Sequence, residues 1–150
     1  MKHKHSNYFN ACLLDDGRHE PVGFTAYAKL DRQYTAGELI LFDATISNIG
    51  NYYNADTSMF TCPYNGLYIF SIHFNTSSDY SMYAHIALDN QFLTGTYEEN
   101  KHGQASAQAV IECIAGQNVW VECSDGSGYM WGDSTYKWSL FSGVLLQAYV

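Results

Sequence analysis

From Asp125 to Trp138 the chain reads DGSGYMWGDSTYKW, and the four aromatics Tyr129, Trp131, Tyr136 and Trp138 are more than a connection needs. Flat aromatic faces stack on the CH faces of sugar rings, while donors and acceptors such as Asp133 and Lys137 suit the hydroxyls. Tyr129, Trp131, Asp133, Tyr136 and Lys137 are therefore the candidate ligand-binding residues, with Trp131 expected at the surface and Trp138 in the core. The competing reading of the same aromatics is packing under a loop or at a seam between subunits. Tyr52, Tyr53, Tyr80 and Tyr83 pose the same choice.

Catalytic chemistry finds little footing. Ser127 sits in Asp-Gly-Ser-Gly, which suits a tight turn and lacks the strand-to-helix setting of a nucleophile elbow. His73 and His85 fall on neighbouring expected strands, but no acid is spaced to orient either of them. The chain is read as a non-enzyme. Its four cysteines, Cys12, Cys62, Cys113 and Cys123, show neither zinc-type nor redox-type C-x-x-C spacing and are read as structural, with two bridges possible in three connectivities. If Val110 to Ser124 forms a hairpin turning at Ala115-Gly116-Gln117-Asn118, Cys113 and Cys123 fall on opposite faces, which disfavours a bridge between them. Asn75-Thr76-Ser77 fits a glycosylation acceptor and makes Asn75 a candidate for modification in a secreted protein.

Composition bounds the rest. At 150 residues the chain has the size of one domain and can build a core without metal or disulfide. Hydrophobic residues make up 47% and charged residues 15%, with 13 Tyr against 7 Lys+Arg, so the chain has much to bury. A formal charge of -8 argues against nucleic acid and against anionic membrane surfaces, since both are bound through clustered Lys and Arg. No apolar run reaches the roughly 20 residues of a membrane helix, so membrane insertion is not expected. The basic start Met1-Lys2-His3-Lys4-His5 has no apolar stretch behind it to act as a signal peptide.

The elements that must position these residues are strands. Helical periodicity is nearly absent, and short β-branched and aromatic runs recur at Val22 to Leu30, Leu39 to Asp43, Ser58 to Thr61, Gly66 to Asn75, Ser81 to Asp89, Ala105 to Ile114, Asn118 to Ser124 and Ser139 to Tyr149. Gly- and Asn-rich turn signals separate them, which predicts an all-β antiparallel sandwich or barrel. Residues 1–20 are polar and aperiodic and are expected to be a flexible leader, leaving 21–150 as the domain.

Within FTCPYNGLYIFSIHF, Tyr68, Phe70, Ile72 and Phe74 alternate with Leu67, Ile69, Ser71 and His73, so the second face is apolar at its start. The last strand repeats this, with Leu140, Val144, Leu146 and Val150 alternating with Phe141, Leu145 and Tyr149. A sandwich buries one face of each sheet, so something must cover the other. Another copy of the same chain is the commonest cover. Leu67, Ile69, Phe141, Leu145 and Tyr149 are assigned to that seam.

Phe42, Asn48, Tyr53, Phe60, Gly66, Tyr68 and Phe70 at their observed spacings, together with FTCPYNGLYIF, GQNVWVE, VGFTAY and the terminal SLFSGVLLQAYV, resemble the complement C1q globular-head family over residues 22 to 150. The resemblance implies a ten-stranded antiparallel jelly-roll sandwich of C1q/tumour necrosis factor type, assembled as a homotrimer, secreted, and used for recognition. Some members of that family bind Ca2+ through acidic residues in the loop that here reads TYEENKHGQAS, which makes Glu98 and Glu99 metal candidates. Gly103 stands where those members carry Asp, and two adjacent carboxylates pointing to opposite sides are a poor start for six to eight oxygen ligands.

The leading expectation is a lectin-like trimer binding glycans or other microbial surface ligands in innate immunity. The rivals are a cytokine-like or organiser ligand for a host protein receptor, and an acidic matrix or biomineral component.

Overall fold

Alternating side chains set the architecture of a computed structural model that describes residues 19–76, 79–99 and 102–149. The expected leader thus lies outside the described residues except for its last two positions, and Cys12 and Val150 lie outside with it. In chain order the strands are β1 (Gly23–Tyr27), β2 (Arg32–Thr35), β3 (Ala44–Ile49), β4 (Tyr53–Asn54), β5 (Met59–Thr61), β6 (Gly66–Asn75), β7 (Met82–Leu88), β8 (Gln91–Glu98), β9 (Gln104–Cys113), β10 (Asn118–Cys123), β11 (Ser127–Met130) and β12 (Leu140–Ala148). One five-stranded sheet runs β3-β1-β12-β6-β9 and the other β4-β5-β10-β7-β8, while β11 and β2 form a two-stranded ribbon. Every pairing is antiparallel. The ten strands of the two sheets are the expected jelly-roll sandwich.

Tyr68, Phe70, Ile72 and Phe74 of β6 point between the sheets and are buried. Phe24 stacks on Phe60 at 5.0 Å and meets the edge of Phe141 at 4.9 Å, and Phe60 meets Phe70 edge-on at 5.5 Å. These geometries add to the large apolar area that each ring removes from water. Gly143 makes the cluster possible: a Cβ there would lie 2.6 Å from both the Phe24 and Phe70 rings. Gly143→Ala is expected to destabilise the domain by about 1–3 kcal/mol through overpacking, read as a lower urea midpoint at unchanged slope.

Two local expectations are corrected. The segment from Leu39 to Asp43 makes one isolated bridge, Leu39 to Glu122, instead of a strand. Ile40 N–H still donates to the Val121 carbonyl at 2.8 Å, but Leu41 N–H is bonded by the Tyr34 hydroxyl and Phe42 N–H by the Ser58 hydroxyl, so Ile40 and Phe42 are buried with strand-like alternation while the ladder goes no further than the bridge. The expected hairpin across Cys113 and Cys123 is also absent. All ten residues of β9 pair with β6, which places β9 in one sheet and β10 in the other.

The outward face of the first sheet carries an apolar row across its five strands. Register places Ile49, Gly23, Val144, Ile69 and Val110 side by side. Ile49, Val144 and Val110 are 54%, 42% and 57% exposed, so nothing among the described residues covers them. The adjacent row, Ser47, Thr25, Ser142, Ser71 and Gln108, is polar, and the Ser71 and Ser142 hydroxyls share a hydrogen bond of 2.7 Å.

Candidate functional site

The aromatic stretch is divided by the fold into two places. Tyr129 lies in β11, where pairing with β2 sets its ring 4.8 Å from Tyr80, and its hydroxyl donates to Asp31 Oδ2 at 3.0 Å. Desolvation first, and then the Asp31 carboxylate, push this phenol above its ordinary pKa. Asp31 Oδ1 also accepts from Gly132 N–H at 2.9 Å, so one carboxylate fastens the ribbon to the loop that follows it.

In that loop Asp133 Oδ1 accepts from the N–H groups of Thr135 and Tyr136 at 2.7 and 2.6 Å, closing a tight turn. Lys137, held at φ 54°, points its ammonium back to the carbonyls of Ser134 and Thr135 and lies 5.1 Å from the Tyr27 ring centroid. The product of this turn is a pair of stacked rings: Tyr136 and Trp138 lie 5.1 Å apart at 25° and are 69% and 41% exposed.

Trp131 and Trp138 are therefore exchanged relative to expectation. Trp131 is half-buried, with its amide bonded to the Asn75 carbonyl, its carbonyl accepting from Ser139 Oγ, and its ring against His102. Alternation counted back from the buried Phe141 and Ser139 turns Trp138 outward, and the left-handed residue Lys137 before it ends that period. Asp133 and Lys137, the candidate partners of ligand hydroxyls, make the hydrogen bonds of the turn. Tyr129 stands with Tyr80, apart from the Tyr136 and Trp138 stack.

Asn75, the glycosylation candidate, is 7% exposed at the end of β6; its buried Oδ1 accepts no hydrogen bond among the described residues, and Thr76 after it is fully buried. Glu98 ends β8 and Glu99 follows it at the surface, and among the described residues no group of three metal-ligating side chains forms there or elsewhere.

The outer face of the second sheet carries Tyr83, one of the aromatics that pose the choice between ligand and packing. Tyr83 and Tyr97 stack at 5.4 Å, and Phe92 lies 4.7 Å from the His85 ring, whose Nε2 is 3.2 Å from Glu122 Oε2. Glu122 Oε1 in turn accepts from Trp120 Nε1 at 2.7 Å. Gly95 sits opposite His85, and a Cβ there would crowd the Phe92 ring at 3.2 Å. His85 and Glu122, found with no orienting acid by spacing alone, are brought together by the pairing of β7 with β10.

A family model for the C1q domain matches residues 23–146, which spans both sheets and the aromatic loop. The chain belongs to the C1q domain family. Caprin-2 of Danio rerio is 29% identical over 116 residues, covering 75% of this chain, and the chain spans only 12% of that protein's length. Among solved structures the globular domain of zebrafish complement 1qA superposes with a TM-score of 0.67 at 18% identity, over 85% of this chain and 99% of that one. Eiger TNF from S. frugiperda follows at 0.63 and 12%, covering 88% and 96%, and murine APRIL at 0.62 and 9%, covering 85% and 100%. These likenesses establish the jelly roll that C1q and TNF structures share.

Within this C1q domain the expected seam residues divide. Leu67 and Ile69 lie on the outward face of β6 and are half-buried. Leu145 packs partly against the core, and Tyr149 is exposed, its hydroxyl donating to Glu112 at 2.8 Å. Phe141 is corrected: it points into the sandwich and is fully buried among Phe24, Phe42, Tyr53 and Phe70. The outward register of β12 is that of Val144, which pairs with Ile69, and a bulge between Leu145 and Gln147 leaves Leu146 exposed beside it. The hydrophobicity of β12 on both faces hid this choice of register.

Proposed function

We propose that the chain is the recognition head of a secreted homotrimer that binds glycans or other microbial surface ligands, and that it is not an enzyme. The observation that carries the reading is the exposed stack of Tyr136 and Trp138, held out by a turn that Asp133 and Lys137 close. Aromatics so exposed gain nothing for the core, and their flat faces suit the CH face of a sugar ring. The apolar row of Ile49, Val144, Ile69 and Val110 supports assembly, because two further copies would cover it. Three equal sites on one trimer convert weak single-site binding into avidity on a repetitive surface.

A glycan array probed with the wild type and with Trp138→Ala tests this. The expected outcome is sugar-specific binding that falls at least tenfold in the variant while its mass in solution is unchanged. Binding that survives in the variant, or silence of the wild type on every glycan, overturns it. Running the array with and without chelator separates calcium-dependent from calcium-independent recognition.

A second reading, a ligand for a host protein receptor, is favoured by the outer face of the second sheet, where Phe92 and Tyr97 are among the most exposed aromatics. Spread anchors of this kind suit a broad protein interface better than a sugar ring. Loss of receptor binding in Phe92→Ala together with Tyr97→Ala, with glycan binding intact, is the result that distinguishes it.

A further inference from the structure

The segments around Cys62 and Cys113 are knit together by four backbone or side-chain links. Cys62 N–H donates to the Gln117 carbonyl at 2.9 Å, Gly116 N–H to the Cys62 carbonyl at 2.8 Å, and Ala115 N–H to Asn65 Oδ1 at 2.8 Å, while Gly66 pairs with Cys113 in the β6 and β9 ladder. Inside this frame both cysteines are buried, at 1% and 2% exposure, and each thiol is the strongest influence on the other. Cys62 follows β5 of the second sheet and Cys113 ends β9 of the first, so the two sulfurs meet where the layers join.

We propose that Cys62 and Cys113 are a disulfide-forming pair that staples the two sheets of the sandwich at this end. Cys123 is excluded as the partner of Cys113. It lies five residues along β10 from Asn118, roughly 17 Å at strand rise, and its thiol is directed to the Asp125 carbonyl at 3.6 Å. Either thiol, once deprotonated, can attack first, and the balance is the same from Cys113 as from Cys62. The bond forms by exchange with a small-molecule disulfide such as oxidised glutathione. Cys113 thiolate attacks one sulfur of that disulfide and releases one glutathione thiolate. Cys62, losing its proton, then attacks the Cys113 sulfur of the mixed disulfide and releases the second glutathione. The two cysteine thiols are oxidised, one glutathione disulfide is reduced to two thiols, and the protein loses two hydrogens. Both cysteines are buried, so the exchange belongs to folding or to transient opening of this end. The bond closes a long loop, which is where a cross-link restricts the unfolded chain most.

The test is refolding of the full chain in a buffer of reduced and oxidised glutathione, followed by alkylation in denaturant and mass spectrometry. The expected product carries two fewer alkyl groups than the chain reduced before alkylation, holds a trypsin-resistant link between the peptides on either side of Lys101, and melts on the order of 10 °C higher before reduction than after. Cys113 and Cys123 share the second peptide, so fragmentation of the linked pair must place the bond at Cys113, and Cys123→Ser must retain it. Full alkylation of Cys62 and Cys113 after refolding, or a bond located at Cys123 or Cys12, overturns the proposal, and neither readout requires Cys62→Ser or Cys113→Ser to fold.

Discussion

Phe141→Ala is expected to cost about 3–5 kcal/mol of stability, while Tyr149→Ala eight residues along the same segment should cost less than about 1. Phe141 fills the centre of the aromatic cluster, against Phe24 at 4.9 Å and Phe42 at 5.8 Å, in a sandwich with no spare space to collapse into. Removing its ring forfeits both the apolar transfer term and the packing of its neighbours. Tyr149 keeps one exposed hydrogen bond, to Glu112, and solvent replaces it on truncation. Urea unfolding of both variants measures the contrast. A small loss for Phe141→Ala combined with a lower oligomeric mass would return Phe141 to the surface seam and overturn its placement in the core.

The second large effect is on assembly. The wild type is expected to sediment at about 51 kDa, three times the chain mass of 16.9 kDa, and the double variant Val144→Asp with Ile69→Asp at about 17 kDa. Val144 and Ile69 are direct partners across β12 and β6 in the middle of the apolar row, so two carboxylates there would be buried without counter-charges in an assembled seam. In the separated chain the same carboxylates face water, and the fold should survive with little change in its circular dichroism. Sedimentation or light scattering at micromolar concentration reads the result. A monomeric wild type, or a variant that stays at the wild-type mass, rules out this row as the seam.

Much of this fold is legible from residue order. β6 begins and ends at the expected Gly66 and Asn75, and its inward set of Tyr68, Phe70, Ile72 and Phe74 follows from alternation alone. Long strands with one strongly apolar face carry their register in their composition. Short polar strands do not: β2, β3, β4, β8 and β11 have Arg, Gln, Thr, Ser and Asn among few apolar residues, and they are strands because a neighbour offers them a ladder. β12 fails for the opposite reason. Apolar on both faces, it fits the core in either register, and only the space left at Gly143 for Phe24 and Phe70 selects the one that sends Phe141 inward.

Composition and strand period thus determined an all-β sandwich and the loop in which exposed aromatics would stand, and the resemblance to the C1q head family supplied its type. Composition and a period of two are properties of neighbouring residues along the chain. The tertiary structure alone decided that Trp138 and not Trp131 reaches solvent, that Asp133 and Lys137 shape the turn, that Asn75 is enclosed, and that Cys62 lies against Cys113. Each of these depends on a left-handed residue, on a strand changing sheets, or on two segments tens of residues apart meeting across the sandwich. Such contacts are closed by packing between layers, and no local pattern in the sequence records them.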